Sequence, residues 1–172
     1  MAGIDYAHRA ASIVRDAGGH IVGRTKLQKI AYFLEAAGIG SGFNFQYKHY
    51  GPYSEKLAAA VQHAAALRLI VETEAVASWG GRYSTFETQL PLDPASHPAR
   101  VQLAQQMVNA DAVELELAAT ALFLASEGFP DPWTETARRK PDKAEGGRLD
   151  QAMQLYGRLR QTPTPVALPA MP

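Results

Sequence analysis

The sequence has no cysteine among its 172 residues, which excludes disulfides, thiolate zinc sites, cysteine-ligated iron–sulfur clusters and a cysteine nucleophile together. It also has no net charge: 17 basic residues face 17 acidic ones, so nucleic-acid binding would have to come from a local patch. Long apolar runs are missing too, and nothing approaches the roughly eighteen residues a membrane span needs. Asp5, His8, Arg9, Arg15 and Asp16 stand where a secretory signal would require an apolar stretch, so the sequence predicts a soluble, cytoplasmic protein without a membrane partner. No fixed-period repeat is visible.

What is present is an ordinary globular balance, 47% hydrophobic and 20% charged, in a length suited to one domain. The pattern predicts a mainly helical α+β domain over 1–160, with one short aromatic strand and a small β-hairpin on a helical body, loosely winged-helix-like. Residues 161–172 hold four prolines, no periodic apolar face and no means of forming a helix, which predicts a flexible tail.

The densest stretch runs from Gly23 to Leu57. Thr25 and Gln28 have the spacing of a capping box, and Leu27, Ile30, Ala31 and Leu34 share one helical face. Phe43, Phe45, Tyr47 and His49 then alternate with polar neighbours at the two-residue period of a strand, which Gly51-Pro52 ends. Ser54 can cap the next helix, with Glu55 in its first turn.

Around this core the spacing predicts a first amphipathic helix over 5–17, joined by a connector at 20–23 to the capped helix. It also predicts a helix over 54–69 that turns Leu57, Val61, Ala64 and Leu67 inward. Residues 69–76 and 82–89 read as a β-hairpin, and the three prolines of 90–98 read as an irregular crossover. The helix at 113–125, capped by Asp111, is apolar nearly all round and is therefore either the centre of the fold or a homo-oligomer interface. Asp131 and Pro132 open a short helix anchored by Trp133, and Leu149, Ala152, Met153, Tyr156 and Leu159 mark a last stripe.

The segments TKLQKIAYFLE and YKHYGPYSEKL resemble the YwgA-like proteins and, more distantly, the SocA-like (Panacea) antitoxin domain. There, a K-L-Q-K-hydrophobic helix precedes a short aromatic strand and a Y-G-P turn. The resemblance covers Arg24 to Ile70 and, more loosely, the WTETARRKP segment around Trp133. It implies a non-catalytic domain that neutralises a cognate toxin by protein contact or presents it for proteolysis. Two other readings stand beside it: a winged-helix-like regulator binding nucleic acid, and a hydrolase with a site assembled across distant segments.

The chemistry-bearing residues favour a binder over an enzyme. The five histidines lack metal-ligand spacing, so no metal or cofactor is expected. Gly38 to Gly42 is glycine-rich but follows a helix and precedes a strand, the wrong order for a phosphate loop. Neither G-x-S-x-G nor S-x-x-K occurs. Two features remain. Arg24, Lys26 and Lys29 crowd a helix start, where the dipole disfavours cations; their compensation is intramolecular carboxylate or solvent on one reading and an acidic partner on the other. Tyr47, His49, Tyr50 and Tyr53 cluster at the turn, either as plain packing or as contact surface. These seven residues are the expected partner-binding set.

Overall fold

In a computed structural model, which describes residues 2–172, the chain forms eight helices and five short strands among the described residues. In order they are α1 (Ala2–Asp16), β1 (His20–Val22), α2 (Arg24–Ala36), β2 (Gln46–Lys48), β3 (Gly51–Tyr53), α3 (Glu55–Ala66), β4 (Val71–Val76) and β5 (Arg82–Glu87). Then come α4 (Pro98–Val108), α5 (Ala112–Ser126), α6 (Pro132–Arg139), α7 (Pro141–Ala144) and α8 (Arg148–Arg160). The fold is α+β and mainly helical, as the pattern implied.

α5 is its axis. Asp111 caps it by accepting from the Val113 and Glu114 N–H groups, and Leu115, Leu117, Ala118, Ala119, Ala121, Leu122 and Leu124 are buried against α2, α6, α8 and β3. Of the two readings of this helix the central one holds, so most of the 113–125 face is consumed within the chain.

A strand between the first two helices is the main departure from expectation. His20-Ile21-Val22 is short, and its role as β1 depends on pairing with β5, far along the chain. β5 also pairs with β4, giving the antiparallel order β1-β5-β4, with Ile21 and Phe86 buried on the inner face. Helix, strand, helix, helix and two strands in this sheet order form the winged-helix arrangement, more closely than the sequence indicated. A β2–β3 hairpin is inserted between its second and third helices.

That hairpin replaces the single strand expected over 43–49. Only Gln46–Lys48 are strand, and Gly51-Pro52-Tyr53, expected to break it, pair back as β3. Gly51 sits at φ 89, and a Cβ there would stand 2.5 Å from Thr120 Oγ1 of α5, so the turn needs glycine both for its backbone and for its close approach.

The capping box at Thr25 does not form. Gly23, at φ 99, precedes α2 without any side-chain cap. Gln28 instead grips Ser54 twice: its Nε2 donates to Ser54 O at 2.9 Å, and the Ser54 N–H donates to its Oε1 at 2.8 Å. Two hydrogen bonds to buried backbone outweigh one exposed cap, because the buried groups would otherwise go unpaired. Ser54 does cap α3, accepting from the Leu57 N–H at 3.1 Å. Leu67 and Met153, expected inward, are exposed because α3 ends at Ala66 and because the buried stripe of α8 runs through Ala152, Leu155, Tyr156 and Leu159.

Residues 161–172 have no helix or strand, as their prolines require, but they are docked rather than free. Leu168 is 4% exposed, the Val166 N–H donates to Ala37 O at 3.0 Å, and Arg160 and Tyr156 donate to Leu168 O and Pro169 O. Composition gave no sign of this, because an extended segment can bury a single side chain without showing periodicity. Truncation after Gln161 is expected to lower the melting temperature by about 5 to 10 °C, from roughly 2–3 kcal/mol of lost burial. An unchanged melt would show that the docking contributes nothing.

Candidate functional site

The N-terminal half of α2, α3, the inner face of β4 and β5, and the β2–β3 turn enclose a cavity of about 290 Å³. Leu27, Ala58, Val61 and Phe86 give it apolar walls, and Gln62, Tyr50, Tyr53 and the Arg24–Glu72 pair add polar groups. Lys29 also lines it. Tyr50 is 56% exposed, and Lys143 Nζ stands 4.7 Å from its ring centroid.

The three cations at the start of α2 do not share a face, because each is drawn to a different internal acceptor. Arg24 donates to Glu72 Oε2 from Nη2 at 2.7 Å and from Nε at 3.2 Å, and Ser84 Oγ donates to the same oxygen at 2.7 Å. The hydrogen bond and charge of Glu72 raise the Arg24 pKa. Burial pushes the Glu72 carboxyl up, but Arg24 and Ser84 together hold it below its ordinary value.

Lys26 turns the other way, onto the C-terminal end of α4, where its Nζ donates to Val108 O at 3.1 Å and Ala110 O at 2.6 Å. It thereby satisfies carbonyls left over at a helix end. Its amine is pushed down by burial, against the pull of Asp111.

Lys29 is 1% exposed, and its Nζ donates to Pro52 O at 2.8 Å. It borders a buried charge cluster that sequence reasoning missed. There Glu116 of α5 accepts from Lys140 Nζ at 3.1 Å and from Lys143 Nζ at 2.6 Å, while Lys140 also donates to His49 O at 2.9 Å. Burial lowers the Lys29 amine to about 8; Glu116 pulls it up, and Lys140 and Lys143 push it further down. Three lysines thus gather around one carboxylate beneath the β2–β3 turn.

Four of the seven expected residues, Arg24, Lys29, Tyr50 and Tyr53, meet at this one cavity. The other three do not. Lys26 is on the α4 side; Tyr47 packs against Phe123 at 5.9 Å between ring centroids, with the Arg139 guanidinium 4.9 Å from its ring; and the His49 side chain is exposed. A partner would not reach Lys29 across an open surface, only through the cavity.

Lys140, at the end of α6, and Lys143, on α7, are drawn in by Glu116. A signal for this was available: Glu116 lies a turn inside an apolar helix, where a carboxylate drawn into the core must find cations. Gln28 and Glu72 carried no such mark.

Among the described residues, no group of three or more His, Asp or Glu is placed to hold a metal ion. No helix among them is long and apolar enough to cross a membrane. No protein-family model matches the chain, and no curated protein matches it.

Proposed function

We propose that this domain is a protein-binding module, non-catalytic and antitoxin-like, whose partner seats an apolar anchor in the cavity between α2, α3 and β4. One observation carries this reading: Arg24 is committed to Glu72 and Gln28 to Ser54, while Leu27, Ala58, Val61 and Phe86 wall the cavity. What those pairs leave is apolar wall with two tyrosines beside it, the composition of an interface hot spot. The resemblance of the 24–70 segment to SocA-like domains supplies the partner class, a cognate toxin held by contact.

The winged-helix strand order invites a nucleic-acid reading, but charge opposes it. The exposed positions of α3, which would enter the groove, are Glu55, Lys56, Ala59, Gln62 and Ala66, and the hairpin carries Glu72, Glu74 and Glu87 against Arg82. A strand order is not a function.

The test is a photo-crosslinking amino acid at position 50, with position 92 in the exposed 88–97 connection as control, in lysate of the native host. A single protein crosslinked from 50 and not from 92, whose toxicity is suppressed on co-expression, is the expected result. No specific crosslink, together with binding of random duplex tighter than about micromolar at physiological salt, would transfer the domain to the nucleic-acid class.

A further inference from the structure

The cavity lies beside an unpaired sheet edge. In the order β1-β5-β4, β4 is an outer strand. The Ala77 N–H donates to Gly81 O at 2.7 Å, and alternation along the antiparallel ladder turns the backbone groups of residues 71, 73 and 75 toward β5 as well. The N–H and C=O groups of Glu72, Glu74 and Val76 therefore point away from the sheet, and none of them has a backbone partner elsewhere among the described residues. Such an edge is a template for one more extended strand. Glu72 belongs to this edge and also lines the cavity.

At the cavity, Lys29 adds a second requirement. An ammonium has three donors, and Pro52 O is the one acceptor within hydrogen-bond distance among the described residues, which leaves two donors unused on a side chain that is almost wholly buried. Its surroundings are short of negative charge, since Lys140 and Lys143 already share Glu116. The missing groups are anionic oxygens.

The volume, about 290 Å³, sits at the small end of ligand pockets, near the lower bound of about 300 Å³. It suits one large side chain rather than a cofactor. An internal apolar residue would fill the walls but leave Lys29 unanswered, and an aspartate or glutamate would answer Lys29 but leave the walls bare. A chain terminus with an apolar last residue does both.

We propose that the partner is captured by its C-terminus: an extended C-terminal segment pairs with the free edge of β4, its apolar last side chain fills the cavity, and its terminal carboxylate reaches Lys29. This rests on the protein-binding reading above and specifies how the partner is held. Glu74, exposed on the same edge, already stands between Arg24 at 3.9 Å and Arg82 at 3.6 Å, so the residues upstream of the terminus are left unspecified.

The probe is a pool of short N-acetylated peptides, randomised except for leucine or phenylalanine at the end, prepared as free acids and as C-terminal amides. Amide-resolved NMR titration of the full chain reads the binding. The free-acid pool is expected to move the signals of Glu72, Glu74, Val76 and Tyr53 and to bind at least about tenfold tighter than the amide pool. Lys29→Gln should abolish that difference. Glu74→Pro removes an outward N–H at a position where an edge strand tolerates proline, and should abolish binding with the fold retained.

Equal binding of acid and amide, binding of neither, or shifts confined to the cavity with β4 silent would each overturn the proposal. The wild-type comparison and Glu74→Pro keep it decidable if Lys29→Gln fails to fold. A position-50 crosslink that persists while both pools fail would remove this inference and leave the protein-binding reading standing.

Discussion

Replacement of Asp16 by alanine is expected to be the most damaging single change, costing about 3–5 kcal/mol and lowering the melting temperature by roughly 10 to 15 °C. Asp16, at the end of α1, is 0% exposed, and its Oδ2 accepts from Arg100 Nε of α4 at 2.6 Å while its Oδ1 accepts from Arg15 Nε at 2.9 Å. Arg100 in turn donates to Ile39 O, Ser41 Oγ and Ser12 Oγ, tying α1, α4 and the 39–41 loop together. Removing the carboxylate leaves a buried guanidinium with neutral partners only, which is costlier than never having built the pair. Asp16→Asn, which keeps the shape and loses the charge, should fall nearly as far. A loss below about 1 kcal/mol in urea melts would show that Arg100 relaxes into water and that the network is not a structural pin.

Glu116→Gln should cost a comparable amount, about 3–5 kcal/mol near neutral pH, because Lys140 and Lys143 lose the only carboxylate they share. This loss should depend on pH. The Lys29 amine has a folded value of about 8 against an ordinary 10.5, so between those values the unfolded chain holds more protons and stability rises with pH. Without Glu116 the folded value falls further, the penalty at neutral pH deepens, and release of the Lys29 proton relieves part of it in alkali. Chemical denaturation at about pH 7 and about pH 9 is expected to show a clearly smaller deficit at the higher pH. An equal deficit at both would place Lys29 outside the cluster's electrostatics.

The features legible in the sequence were those carried by local pattern. Ser54, Asp111 and Asp131 cap their helices because a short acceptor before an apolar period satisfies orphan N–H groups whatever the tertiary context. The β4–β5 hairpin and the apolar α5 followed for the same reason. What stayed hidden was set by distant partners. β1 is three residues that become a strand only against β5, and Thr25 and Gln28 fit a capping box whose glutamine is claimed by Ser54, 26 positions away.

At the site, residue type was informative and orientation was not. Arg24, Lys29, Tyr50 and Tyr53 do converge, whereas Lys26 and Tyr47, with the same chemistry and nearby positions, face α4 and Phe123. Lys29 stands three residues after Lys26, yet one amine ends beneath the hairpin and the other on a helix terminus, a choice made by Pro52 O and by Val108 O and Ala110 O.

A partner that seats its anchor in the cavity is displaced when the cavity is filled from its rim. Ala58 lies half-buried on α3 at the cavity wall, where a larger side chain can occupy the space without displacing the core. Ala58→Phe is to be made in the protein carrying the photo-crosslinker at position 50, and the yield of the partner adduct measured against the parent. The expected result is a melting temperature within about 3 °C of the parent and an adduct yield reduced at least about tenfold. An undiminished adduct from a folded Ala58→Phe protein would contradict it, placing the partner on the tyrosine surface with the cavity empty.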